Sequence, residues 1–172
     1  MRSLPYALGL AICLSQAAAP SPRHWTEVRS PDHGFRVDFP AAAVRSEPVP
    51  GHQKWAVELD NGFTAYLFET MTITTERLQS AGSAKVLDDA VAGGIGNLPG
   101  ATVLQRGVLE LGGNPGRALS LSAVSAGTRL RVTSRIFLVG TRLYMLVAVG
   151  KEEGLDLAET DRFLTSFALI SR

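Results

Sequence analysis

The stretch Thr128 to Val149, TRLRVTSRIFLVGTRLYMLVAV, decides the fold. Two apolar, β-branched runs flank Gly140-Thr141, and glycine at the first central position of a two-residue loop suits a type II′ turn. The spacing therefore predicts a long β-hairpin in the middle of a sheet, with Val139 facing Arg142. Counting outward, one face pairs Leu138 with Leu143, Ile136 with Met145, Ser134 with Val147 and Val132 with Val149. That face is almost wholly apolar and must be core. The other pairs Phe137 with Tyr144, Arg135 with Leu146 and Thr133 with Ala148, and it is mixed. Its arginines, Arg129, Arg131 and Arg135, lie toward one end and its aromatics toward the other. A helix covering only the aromatic end would leave the arginines in water.

The chain has 172 residues, 45% hydrophobic and 19% charged, which suits one globular domain. Its start, MRSLPYALGLAICLSQAAAP, combines a basic Arg2, an apolar run from Leu4 to Leu14 and small residues beyond. This reads as a secretory signal over residues 1–17, with cleavage after Ala17; cleavage after Ala19 also fits the small residues. The apolar run is too short for a good membrane span. Cys13 is the only cysteine, and bulky Ile12 precedes it where a lipoprotein cleavage box wants a small residue, so a removable signal is preferred to a lipid anchor. The mature chain then has no thiol, which excludes disulfides, thiol catalysis and zinc–thiolate sites. Residues 18–24 form a short linker, and residues 25–170 form one α+β domain with no transmembrane segment.

With Arg2 removed, 16 basic side chains match 16 acidic ones, so no global field attracts nucleic acid. The distribution is nevertheless uneven. Between Arg106 and Arg142 Glu110 is the only acid, while arginine recurs at 106, 117, 129, 131, 135 and 142.

Before the hairpin, HWTEVRS reads as a first strand anchored by Trp25, and Pro31-Asp32-His33-Gly34 as a turn into the strand GFRVDFP. There Phe35, Val37 and Phe39 alternate with Arg36 and Asp38, one face buried and one wet. Ala41 to Gly51, with its prolines, reads as a loop. KWAVELD and FTAYLFET form a second hairpin about Asp60-Asn61-Gly62. Ser83 can cap a helix from about Ala84 to Leu98, stopped at Pro99-Gly100. Strands over Thr102 to Leu111 and Arg117 to Ser125 follow, joined by GGNPG, with Ala126-Gly127 as the next turn. Asp156 and Glu159 resemble a capping box for a last helix whose apolar side is Leu157, Phe163, Leu164 and Phe167. The expected architecture is α+β, a single-domain sandwich with an antiparallel sheet of about seven to eight strands flanked by two helices.

The strand opening on Gly34-Phe35 and closing on Phe39-Pro40, the GNPGR turn, the hairpin RIFLVGTRLYMLVAVG and the closing FLTSF together resemble the PsbP/DcrB-like α/β/α sandwich superfamily. The resemblance covers Trp25 to Leu169 and is nearest to small exported bacterial members of unknown role. It implies an accessory protein that acts through protein contacts rather than chemistry. No tryptophan follows Phe39-Pro40 and no lysine-rich segment opens the chain, so a photosystem role is not carried over.

Catalytic signatures are sparse. The three histidines, His24, His33 and His52, stand nine and nineteen residues apart, match no short zinc motif, and read as exposed surface at turns and strand ends. No G-x-S-x-G elbow occurs. Gly93-Gly94-Ile95-Gly96 falls at a helix end with no Gly-Lys-Ser/Thr after it, so these glycines read as letting the helix approach the sheet or fray, not as a phosphate loop. Asp88 and Asp89 point roughly 100° apart on a helix and read as its solvent face. No cofactor is implied. The candidate binding residues are Arg129, Arg131 and Arg135 on one strand face, Arg117 on the neighbouring strand, and Tyr144 with Phe137 as stacking area for an anion or acidic partner. The competing reading is a solvated face paired with Glu159 and Asp161.

Three functions are thereby ordered. First comes a non-enzymatic exported domain that contacts a protein or envelope component through a sheet face or edge. Second comes a small-ligand binder with a pocket between sheet and helix and an arginine contact to an anionic group. An enzyme comes third. A ligand binder would carry a cavity of several hundred Å³ with converging polar groups, and a partner-binding domain an exposed apolar or arginine-bearing patch.

Overall fold

The computed structural model describes residues 23–59, 64–98 and 100–170. The secretory signal, the Asp60-Asn61-Gly62 turn and Pro99 lie outside the described residues.

The central hairpin forms with the expected register. Strands β8 (Thr128–Val139) and β9 (Arg142–Lys151) pair Leu138 with Leu143, Ile136 with Met145 and Phe137 with Tyr144. Gly140 takes φ 56° at the tip, the positive value a type II′ turn needs at that position. Around this pair a seven-stranded antiparallel sheet runs in the order β3-β4-β5-β9-β8-β7-β6. Its members are β3 (Val44–Val49), β4 (His52–Glu58), β5 (Ala65–Thr72), β6 (Thr102–Leu111) and β7 (Asn114–Ser125), besides the hairpin. The fold class is the expected α+β sandwich, with helices α1 (Thr75–Gly96) and α2 (Leu157–Ser166) on opposite faces.

Three details differ from the sequence reading. β1 (Thr26–Ser30) and β2 (Phe35–Phe39) leave the main sheet and, with β10 (Ala168–Leu169), make a separate three-stranded sheet. The stretch read as a loop from Ala41 contains β3, because an edge strand tolerates Pro48 and a bulge between Ser46 and Val49. Helix α1 starts nine residues before Ala84: Thr74 caps it by accepting a hydrogen bond from the Arg77 amide. Gly82, at φ 77° and ψ 158°, breaks it in two, so the helix expected after Ser83 is its second segment.

The two faces of the large sheet are closed by different chemistry. On one, Tyr66 and Phe68 of β5, Trp55 of β4, and Phe137, Tyr144 and Leu146 of the hairpin meet Phe35, Val37 and Phe39 of the small sheet. α2 adds Phe163 and Leu164, and Phe167 follows at its end. The rings touch in a continuous set: Phe35 to Phe68 at 4.5 Å, Phe35 to Trp55 at 5.1 Å, Phe167 to Tyr144 at 5.2 Å and Phe167 to Phe137 at 5.7 Å. Such pairs contribute beyond the area they bury. On the other face α1 packs Val86, Leu87 and Val91 against Leu119, Leu121, Val132 and Ile136. α2 is capped by Asp156, whose carboxylate accepts from the Ala158 and Glu159 amides. Glu159 pairs with Arg23 at 2.8 Å.

The small sheet is pinned to the hairpin at His33. The Tyr144 hydroxyl donates to the His33 carbonyl at 2.7 Å, and the Arg142 guanidinium lies 2.7 Å from His33 Nδ1. His33 and His52 are half-buried, not exposed as their positions at turns suggested; His24 is exposed. Among the described residues no helix is long and apolar enough to cross a membrane.

Two predictions follow from this packing. Gly116 stands opposite Phe137, and a methyl added there would lie 2.6 Å from the ring and 2.7 Å from the Ile136 carbonyl. Gly116→Ala should therefore cost about 1–3 kcal/mol in denaturant unfolding. Gly107→Ala, where the added carbon would meet only the Ala118 side chain at 3.6 Å, should stay within about 0.5 kcal/mol. Burial, then Arg142 and Arg45, lower the pKa of His33 below its usual 6.5. The unfolded chain then binds that proton more readily, so stability is complete above pH 6.5 and falls as the pH drops below it. His33→Gln should flatten that limb of the stability–pH curve.

Candidate functional site

Alternation along β8 places Arg129, Arg131 and Arg135 on the face that also carries Phe137, beside α2. They are largely neutralised. Arg131 and Arg129 share Glu152 at 3.3 and 3.6 Å, and Ser122 also reaches that carboxylate at 3.2 Å. Arg135 meets Asp161 at 3.4 Å and the Leu164 carbonyl at 3.5 Å. Three guanidiniums thus face two carboxylates, and Arg131, Arg135 and Asp161 line a shallow groove of about 390 Å³ between α2 and the sheet. Of the two acids expected to pair with this face, Asp161 does so and Glu159 goes to Arg23. Glu152, in the turn after β9, is the acid that the sequence reading missed.

Two members of the expected cluster are elsewhere. Arg117 pairs across strands with Ile136, which puts it on the α1 face, where it meets Asp88 at 2.8 Å. The turn Ala126-Gly127 closes Ser125 opposite Thr128, and counting back from that pair fixes Arg117 on the wrong side for the cluster. Tyr144 is buried in the aromatic core with its hydroxyl on the His33 carbonyl, as is Phe137, so neither ring offers stacking area. Of the five proposed site residues, the structure brings together Arg129, Arg131 and Arg135. Asp88 and Asp89 are indeed on the outer side of α1, paired with Arg117 and with Lys85 and Arg77 respectively.

A second cationic cluster lies at the hairpin tip. Arg142 meets His33, and Arg45 donates to Gln53 at 2.8 Å while stacking 5.5 Å from the Trp55 ring. Among the described residues no ion pair reaches Arg45 or Arg142. Arg45 went unnoticed in the sequence because β3 was read as loop.

The sheet's two edges contrast. β3 is guarded by Pro48 and its bulge. β6 is ten residues long, with one side paired to β7 and the other open. It exposes Val108 at 79%, Leu104 at 46% and Val103 at 36%. A long edge with exposed apolar side chains is a template for another strand. The signal was present in TVLQRGVLEL, whose apolar residues fall on both alternate faces instead of one.

A cavity of about 560 Å³ opens between the second segment of α1 and the sheet. Its floor includes Leu67, Met71, Met145, Val147 and Val149, and His52 and Glu69, 3.2 Å apart, also line it. A sheet–helix pocket was expected of a ligand binder, but among the described residues its lining contains no arginine.

No family model matches the chain, and no curated protein matches it in sequence. Solved structures do. Cyanobacterial PsbP (CyanoP) from Synechocystis superposes with TM-score 0.63 at 10% identity, over 91% of this chain and 98% of that one. The Ran-binding protein Mog1p of Saccharomyces cerevisiae gives 0.54 at 7% identity, over 87% and 97%. PA94 from Pseudomonas aeruginosa, a protein of unknown function described as a putative regulator, gives 0.50 at 14% identity, over 80% and 90%. At these identities the likeness is one of architecture: the chain has the PsbP/Mog1/DcrB fold, as the sequence resemblance implied.

Proposed function

We propose that the protein is an exported, non-enzymatic binding domain that receives an extended segment of a partner protein along β6. The carrying observation is that edge: ten residues paired on one side only, with Val108, Leu104 and Val103 exposed on a strand that a folded monomer would otherwise protect. Strand addition supplies affinity through main-chain hydrogen bonds and selectivity through side-chain contacts. Arg106 stands exposed on the same strand, so an acidic side chain in the added segment would find a positive charge close by. Export rests on the N-terminal sequence, with its basic residue, short apolar run and small residues before the cleavage position. Action by contact accords with Mog1p, named as a Ran-binding protein, being built on the same fold. The arginine face beside α2 is the weaker surface, since exposed ion pairs already occupy it.

A photo-crosslinking amino acid at Val108 should capture a discrete partner in the envelope of cells that express the protein, whereas the same group at Val44 on the guarded edge should not. Val103→Lys with Leu104→Lys should abolish capture at position 108 while leaving unfolding within about 1 kcal/mol of wild type, since both positions are exposed. Equal capture at Val44, or capture that survives the lysines, would contradict the edge assignment. Sedimentation of the purified protein separates a foreign partner from a second copy paired edge to edge.

A further inference from the structure

The cavity beneath α1 goes beyond strand addition, and it begins with an incomplete seal. α1 packs on β7 and β8, while the centre of the same sheet face, on β5 and β9, carries Leu67, Met71, Met145, Val147 and Val149. Each of these five side chains is only partly buried. The middle of a sheet is where apolar side chains should be driest, so an open groove there leaves the hydrophobic effect unspent. A volume near 560 Å³ lies in the range that small-molecule sites occupy.

The helix side of the groove is made from Ala90, Gly94 and Asn97, at helical spacing, with Gly93 next to them. These glycines do not serve close packing. A carbon added at Gly93 or Gly94 meets nothing within 4 Å, so of the two roles expected of these glycines, approach to the sheet or fraying, the first does not hold. Glycine inside a helix is unfavourable relative to alanine, and here its effect is to keep a channel open. Met71 and Met145 give the floor an adaptable surface. Polar groups gather at one end: His52 and Glu69 line it 3.2 Å apart, and Lys54, outside the lining, lies 3.8 Å from the same carboxylate, two basic side chains to one acid among the described residues. An occupant matching this groove has a long apolar body and one anionic head.

We infer that the groove binds a single-chain aliphatic carboxylate, with its chain along Met71, Met145 and Val147 under Gly94 and its head at His52, with Lys54 just beyond the lining. The groove commits to a monomeric amphiphile and not to a membrane surface, because its walls are α1 and the sheet and its width is set by missing side chains.

The test is calorimetric titration of the purified protein with dodecanoate, dodecanol and butanoate, alongside methionine-methyl NMR and sedimentation with phosphatidylcholine vesicles. Dodecanoate should bind saturably and shift the Met71 and Met145 methyl signals. Dodecanol should bind more weakly and butanoate not at all. Gly94→Leu, which fills the channel and favours helix, should keep or raise the unfolding midpoint and weaken dodecanoate by roughly tenfold or more. Ala90→Leu, from the same stripe, serves if Gly94→Leu fails to fold. Absence of saturable binding, unshifted methionine methyls, wild-type affinity in the folded filled variant, or association with vesicles alone would each overturn the site. Equal binding of dodecanol would overturn the assignment of the head to the His52 end.

Discussion

Gly140 sits at the tip of the β8–β9 hairpin with a positive φ, and the pairing of Leu138 with Leu143 follows from it. Side chains alternate along a strand, so a slip of one residue would exchange the two faces of the sheet's centre. In the observed register Phe137, Tyr144 and Leu146 look one way, and Leu138, Ile136, Met145 and Val147 the other. Everything outside the hairpin is arranged to close those two surfaces. Neighbouring strands extend the same division: Phe68 of β5 continues the aromatic side and Leu67 the aliphatic side.

The closures differ in completeness. The aromatic side is sealed by β2 and by α2 with Phe167 at its end, and Phe35 and Phe167 interlock with rings of the large sheet, Phe35 with Trp55 and Phe68 and Phe167 with Phe68 and Tyr144. The aliphatic side has one helix, whose buried residues Val86, Leu87 and Val91 reach β7 and β8. With little else on that side, the helix's small residues decide how much of β5 and β9 stays open. Openness at the sheet's centre and at its β6 edge therefore comes from the same economy, a long sheet with few covering elements. Both open surfaces suit a protein that works by holding other molecules.

Most of the fold was legible because it is local. Alternation in GFRVDFP and in the hairpin gave faces directly, and Asp156 announced α2 through its cap. What stayed hidden was non-local or edge-dependent. β3 carries Pro48, which counts against a central strand and is harmless at an edge. The first segment of α1, TERLQSA, packs only Leu78 and Ala81 toward the core and has no clear apolar stripe, so its Thr74 cap and its continuity past Gly82 add to what holds it. The arginine cluster was half legible. Alternation grouped Arg129, Arg131 and Arg135, but the side taken by Arg117 depended on counting from the Ala126-Gly127 turn. Tyr144 was read as accessible because its cover, β2 and Phe167, comes from distant parts of the chain.

The central claim is that hairpin register divides the sheet into a sealed face and a half-open one, and adjacent residues of β9 report on it most directly. Methyl NMR with a soluble nitroxide compares Met145, on the open face, with Leu146, which is fully buried on the sealed one. The account requires the Met145 methyl to broaden while the Leu146 methyls do not. Equal protection of both, or broadening at Leu146 instead, would contradict it.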